Sequence, residues 1–191
     1  MIDYKQFQFA ACPRTGSTWV MRAAFIAGFG EGSKVDLHIP APPNYKGTLN
    51  VTLVRHPYDW LASYYYFLQG GAVGLTLIDS LCSIAREAFC FEDFVLLYAE
   101  RHAGTYTKII ESYHGDSVIR TEELTDGIIE LFDTLGASDY ALQLIRQTPP
   151  SNIDSGKAER NDSIPYLQEI VRRAEGDLYE QFAYQLIGDA R

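Results

Sequence analysis

The sequence is poor in cysteine, with only Cys12, Cys82 and Cys90 in 191 residues. An odd number without metal-type spacing argues against both a disulfide framework and a zinc site, so reduced thiols are expected. The chain also lacks any excess of positive charge. Its formal net charge of −9 excludes a nucleic-acid binder that works by general phosphate attraction, because counterion release needs a surface rich in Lys and Arg. A small anion is still allowed, since a few local cations and backbone N–H groups can hold one against an acidic background. No apolar run has the length to cross a bilayer, and the stretch MIDYKQFQFAACPR has no basic region leading into one. The expectation is a soluble, cytoplasmic protein with no membrane partner.

With 47% hydrophobic and 13% aromatic residues, the chain can bury one sizeable core, and its length suits a single domain over residues 1–191. There is no repeat and no low-complexity tract. Short apolar runs alternate with helical periodicities, which points to α/β. Residues 7–12 read as a buried strand, and 17–27 as a helix with Val20, Ala23, Ala24 and Ala27 on one face. The prolines of HIPAPPNYKG forbid a central strand or helix interior there. Residues 49–55 read as the next strand, and Pro57 suits the first turn of a helix with Leu61, Tyr64, Tyr65 and Leu68 as its apolar stripe. Residues 70–74 form a glycine-rich loop. Further on, helices are expected over 81–87 and 91–102, a strand over 118–121, and a helix through Ile128, Leu131, Phe132 and Leu135 that Gly136 terminates. TPPSNIDSGKAERNDS, residues 148–163, is the most polar stretch and reads as a functional or mobile loop. Ser163 and Pro165 then open a last helix with Leu167, Ile170, Val171 and Ala174 inward.

The stretch CPRTGSTW, residues 12–19, combines a strand end, a glycine-containing turn and a helix start. Such a junction presents several N–H groups and the positive end of a helix dipole to an anion. Ser17 and Thr18 add hydroxyls, and Arg14 adds a fixed charge. The plainer alternative is that Ser17 caps the helix and Gly16 turns the chain. No G-x-x-x-x-G-K-[ST] match exists, and the strand LNVTLV runs into Arg55 where an Mg²⁺-dependent NTPase places an acid. Arginine suits a phosphate bound directly, through two charge-assisted hydrogen bonds. Asp59 and Ser63 follow at intervals of four and share a helix face; a surface pair of Arg55 with Asp59 is the competing explanation.

Together, these stretches resemble the sulfotransferases that use 3′-phosphoadenosine 5′-phosphosulfate, PAPS. CPRTGSTWV is similar to their 5′-phosphosulfate loop, P-[KR]-[ST]-G-[ST]-[ST]-[WL]. VRHPYDWLASYYYF is similar to their 3′-phosphate site, R-x-P-x-D-x-x-x-S-x-Y. The resemblance implies an α/β, P-loop-like three-layer fold with a central, mainly parallel sheet flanked by helices. It implies that Arg14, Thr15, Gly16, Ser17 and Thr18 hold the phosphosulfate, that Trp19 lies against the adenine, and that Arg55 and Ser63 hold the 3′-phosphate; a core position is the alternative for a tryptophan on the first helix turn. VDLHIPAPP resembles the K-T-H-[LI]-P segment that carries the family's general base, which implies His38 in that role; an ordinary solvated loop histidine is the alternative. VIRTEELTDGIIELFDTLG resembles the strand and helix around Y-E-D-[LM], with Thr121 where a tyrosine commonly contacts adenine. The terminal R-K-G element is not present as such. Lys157 and Arg160 are its nearest substitutes, against a reading as solvated loop charges.

The implied activity is transfer of a sulfuryl group from PAPS to a hydroxyl or amine of a small-molecule or glycan acceptor. The product nucleotide is adenosine 3′,5′-bisphosphate, and no metal is required. Arg14 would stabilise the leaving phosphate, and His38 would take the acceptor's proton. Two other readings stay open. One is a P-loop nucleotide or small-molecule kinase requiring Mg²⁺ and ATP; the other is a noncatalytic nucleotide-binding relative, which Thr121 and the missing R-K-G element allow.

Overall fold

Residues 2–10 carry two short alternating runs, Ile2 and Tyr4 then Phe7 and Phe9, separated only by residues 5 and 6. So short a connection can join only antiparallel neighbours, and the chain opens as a hairpin. The computed structural model describes residues 2–4, 6–10, 12–30, 33–34, 49–70, 79–113, 115–150 and 164–185. In chain order its elements are β1 (Ile2–Tyr4), β2 (Phe7–Ala10), α1 (Ser17–Ile26), β3 (Ser33–Lys34), β4 (Leu49–Val54), α2 (Pro57–Gln69), α3 (Asp79–Glu87), α4 (Phe91–Arg101) and α5 (Thr105–Ser112). There follow β5 (Ser117–Arg120), a 3₁₀ turn (Thr121–Glu123), α6 (Leu124–Thr134), α7 (Asp139–Gln147), α8 (Pro165–Ala174) and α9 (Gly176–Gln181). The contacts divide the chain into two compact units, Met1–Arg55 with Ile110–Asp154, and His56–Ile109 with Ser155–Arg191.

The first unit is α/β. Its sheet runs β3-β1-β2-β4-β5, with β2, β4 and β5 parallel and β1 antiparallel to both β2 and β3. The sheet is therefore mixed, which corrects the mainly parallel sheet expected from the resemblance. The physical reason lies in residues 2–6: a parallel crossover needs a dozen or more residues, and this connection has two. Phe7, Phe9, Val51, Leu53 and Ile119 pack into one core with Trp19, Val20, Ala23 and Ala24 of α1 and with Ile128 and Phe132 of α6. Phe7 anchors it, stacked on Tyr4 at 4.6 Å and edge-on to Phe9 at 5.3 Å. Gly136 ends α6 as expected. At φ 83° it lets its own N–H reach Asp133 and that of Ala137 reach Phe132, each at 2.9 Å, the paired bonds of a Schellman cap.

One position in this sheet runs against the pattern. Gln8 faces away from Phe7 and Phe9, in register with Asp3 and Asn50, and is 0% exposed. Neither of its side-chain amide atoms has a hydrogen-bond partner among the described residues, nor does Asn50 Oδ1. A buried amide left in that state costs about 1–3 kcal/mol.

The second unit is helical among the described residues. Pro57 begins α2, where its missing N–H is no loss, and Tyr58, Trp60, Leu61, Tyr64 and Tyr65 are buried. Trp60 stacks on Tyr106 at 4.1 Å, nearly parallel. Glu175, 1% exposed, stands between α8 and α9 and caps the start of α5. Its carboxylate accepts from the Thr107 N–H at 2.8 Å, the Thr107 hydroxyl at 2.6 Å and the Tyr106 N–H at 3.4 Å. The Tyr98 hydroxyl donates to it as well. Burial and the adjacent carboxylate raise the Tyr98 pKa, so this donor keeps its proton. No helix among the described residues is long and apolar enough to cross a membrane.

Two stability measurements follow from these buried polar groups. Gln8→Met is expected to raise the unfolding free energy by about 1 kcal/mol in a denaturant titration, because it removes an unsatisfied amide of similar volume. A loss of stability would mean that the amide has a solvent or protein partner. Glu175→Ala strands the Thr107 N–H, the Thr107 hydroxyl and the Tyr98 hydroxyl, while the Tyr106 N–H keeps the Tyr98 oxygen at 3.1 Å, and it is expected to lower the unfolding free energy by about 3 kcal/mol; a change under about 1 kcal/mol would disprove the capping role.

Candidate functional site

Because β2, β4 and β5 are parallel, their carboxyl ends lie along one edge of the first unit's sheet. That edge is where open α/β sheets bind ligands. The segments leaving it are Cys12–Gly16 after β2, Arg55 after β4 and Thr121 after β5. The sequence-predicted loop and Arg55 thus meet in space, although 41 residues separate Arg14 from Arg55.

The loop is organised by where its carbonyls go. The buried Thr15 hydroxyl donates to the Cys12 carbonyl at 2.6 Å. Arg55 Nη1 donates to the Arg14 carbonyl at 3.2 Å. The Thr121 hydroxyl lies 3.1 Å from the Thr15 carbonyl and 3.0 Å from that of Val54. The Gly16 carbonyl accepts from Trp19 and Val20 as α1 begins. With the carbonyls drawn inward, the N–H groups of residues 15–18 have no acceptor among the described residues. The loop reaches this shape through two left-handed backbones, Arg14 at φ 67° and Gly16 at φ 93°. Gly16 is doubly constrained, since a Cβ there would come within 2.6 Å of a Leu124 methyl. Successive amides in such a concave turn form an anion nest.

The helix starts of the protein are served in more than one way. The first turn of α5 is served by Glu175, and that of α7 by the Ser138 hydroxyl, which accepts from the Ala141 N–H at 3.3 Å. The start of α1 has no side-chain cap. Ser17 therefore does not play the capping role that the sequence left open for it. Its side chain is half-buried and that of Thr18 is exposed, both on the first turn above the loop.

Two guanidinium groups share the loop. Partial burial and the neighbouring Arg55 charge both lower the Arg14 pKa, yet arginine titrates so high that it remains charged. Two guanidinium groups beside amides that have no acceptor among the described residues make this edge rich in hydrogen-bond donors. Its chemical complement is a multiply charged oxyanion.

The remaining predicted residues divide into three groups. Trp19 is 1% exposed and packs in the first unit's core. Ser63 is half-buried on α2, in the second unit, one turn beyond Asp59. His38, Lys157 and Arg160 lie outside the described residues.

Sequence reasoning missed Thr121 as a loop anchor, since a threonine after a strand carries no motif. It also passed over His56. That ring is buried edge-on between Tyr179 and Tyr184, with Nε2 3.0 Å from the Gln185 carbonyl, which places a proton on that nitrogen. His56 therefore belongs to the second unit's packing. Among the described residues, no group of three His, Cys, Asp or Glu side chains is placed to hold a metal ion. No protein-family model matches the chain, and no curated protein matches it significantly.

The left-handed backbone at residue 14 separates charge from strain. A side chain at such a φ costs about 1 kcal/mol relative to glycine. Arg14→Gly and Arg14→Ala both remove the guanidinium, but the glycine variant is expected to be the more stable by about 1 kcal/mol in thermal melts. Equal stability of the two would contradict the left-handed conformation.

Proposed function

We propose that this chain is a PAPS-dependent sulfotransferase, built on a P-loop-like three-layer fold and acting on a hydroxyl or amine of a small-molecule or glycan acceptor. The observation that carries the reading is the convergence of Arg14 and Arg55 on a loop whose amides 15–18 have no acceptor among the described residues. The donor-rich character of this surface fits the 5′-phosphosulfate of such a nucleotide. PAPS, when bound, supplies the sulfuryl group and leaves adenosine 3′,5′-bisphosphate.

In this reading the amides of residues 15–18, with the Ser17 and Thr18 hydroxyls, bind the phosphosulfate oxygens. Arg14 stabilises charge developing on the phosphate that leaves. Its pKa prevents it from acting as a proton donor, so its part is electrostatic. Arg55 and Ser63, in the spacing of the family's 3′-phosphate motif, are assigned to that phosphate, with Lys157 and Arg160 as further cations. His38 accepts the proton of the attacking hydroxyl or amine. A cytoplasmic setting goes with this assignment, as does the absence of any metal requirement.

The test is calorimetric titration with adenosine 3′,5′-bisphosphate beside ADP and Mg-ATP. The 3′-phosphorylated nucleotide is expected to bind most tightly, with Arg55→Ala weakening it about tenfold or more. His38→Ala is expected to leave that affinity nearly unchanged while sharply lowering sulfuryl transfer in an acceptor screen with PAPS. Preference for Mg-ATP would favour the kinase. Nucleotide binding with transfer indifferent to His38 would favour a noncatalytic relative or a different base.

A further inference from the structure

Thr121 has one hydroxyl proton and two acceptors in reach, the carbonyl of Thr15 at 3.1 Å and that of Val54 at 3.0 Å. Thr15 lies in the loop immediately after Arg14, and Val54 immediately precedes Arg55. The hydroxyl thus bridges the two backbone segments from which both guanidinium side chains spring. It does so from the end of β5, the third parallel strand. Three residues on, Leu124 at the start of α6 packs against Gly16 from the side where a Cβ would stand. One short segment therefore holds the loop by a hydrogen bond at residue 15 and by contact at residue 16.

We propose that Thr121 is the positioning residue of the anion site. By anchoring the Thr15 carbonyl it fixes the peptide plane between Thr15 and Gly16, and so the direction of the Gly16 N–H. By reaching Val54 as well, it sets the spacing between the loop and the base of Arg55. Its action on an anion is indirect, through backbone orientation, as preorganised donors require. This inference rests on the anion-binding reading of the loop, but the anchoring itself can be measured without any ligand.

The experiment compares the wild type with Thr121→Val, which keeps the shape and drops the hydroxyl, and Thr121→Ser, which keeps the hydroxyl. Circular dichroism of each checks that it folds. Tryptic cleavage after Arg14, followed by mass spectrometry, reports how firmly the loop is held in the ligand-free protein. Calorimetry with adenosine 3′,5′-bisphosphate and with inorganic sulfate reports the site. Thr121→Val is expected to be cut after Arg14 about tenfold faster and to bind about tenfold more weakly, with Thr121→Ser within about threefold of wild type in both. Should Thr121→Val fail to fold, Thr121→Ser against Thr121→Ala provides the same contrast.

Unchanged cleavage in the variant lacking the hydroxyl would overturn the anchoring. Faster cleavage with unchanged affinity would overturn the positioning role while leaving the anion site in place. If the wild type binds neither probe, the anion-site reading falls and the positioning role with it, and cleavage alone then decides whether Thr121 holds the loop.

Discussion

The first unit's candidate site depends on the disposal of a few backbone carbonyls. A chain that leaves a parallel strand and enters a helix within six residues must turn sharply, and every peptide in that turn carries an acceptor as well as a donor. Here the Thr15 hydroxyl, the Arg55 guanidinium, the Thr121 hydroxyl and the first turn of α1 take the carbonyls of residues 12, 14, 15 and 16. Once these point inward, planarity of the peptide bond sends the amides the other way. The donor-rich surface is a consequence of that arrangement, and the left-handed conformations at Arg14 and Gly16 are the backbone geometry that permits it.

Two other helix starts of the protein are handled differently. In the second unit, Glu175 brings a buried carboxylate to α5 and is itself satisfied by four donors; in the first, Ser138 caps α7 from within its own sequence. Both solutions close the helix end to outside ligands. At α1 the residue in the capping position is a glycine, and the Arg14 and Arg55 guanidinium groups accompany the loop.

Much of this was legible in the sequence, for identifiable reasons. Phe7 and Phe9, the LNVTLV run, Pro57 before an aromatic stripe and Gly136 after an apolar one all rest on local rules of alternation, periodicity and capping, and each element stands where it was expected. The strand at Ile2–Tyr4 escaped because three residues are too few to display a period, and with it went the antiparallel half of the sheet. Helices α5 and α7 were passed over too, although Ser138 ahead of ALQLI is a readable cap. Trp19 was ambiguous in principle: a first-turn position on α1 can turn to the ligand edge or to the core, and only the packing of the sheet face decides. Thr121 stood out only as a departure from a tyrosine in the resembled motif; its anchoring role was not readable, since what matters is a hydroxyl reaching two carbonyls more than sixty residues earlier in the chain.

The hairpin of β1 and β2 has a consequence for the order in which the first unit assembles. Its pairing closes a connection of only two residues, whereas β2 must wait for a partner roughly forty residues downstream and β4 for one more than sixty residues beyond itself. Loop-closure entropy makes the local pairing the cheapest first contact. The strand from which Cys12–Gly16 departs is therefore shaped early, but the groups that orient that loop, Arg55 and then Thr121, reach it only as the parallel strands dock. The turn acquires its final form last, when the chain's most distant sheet contacts are complete.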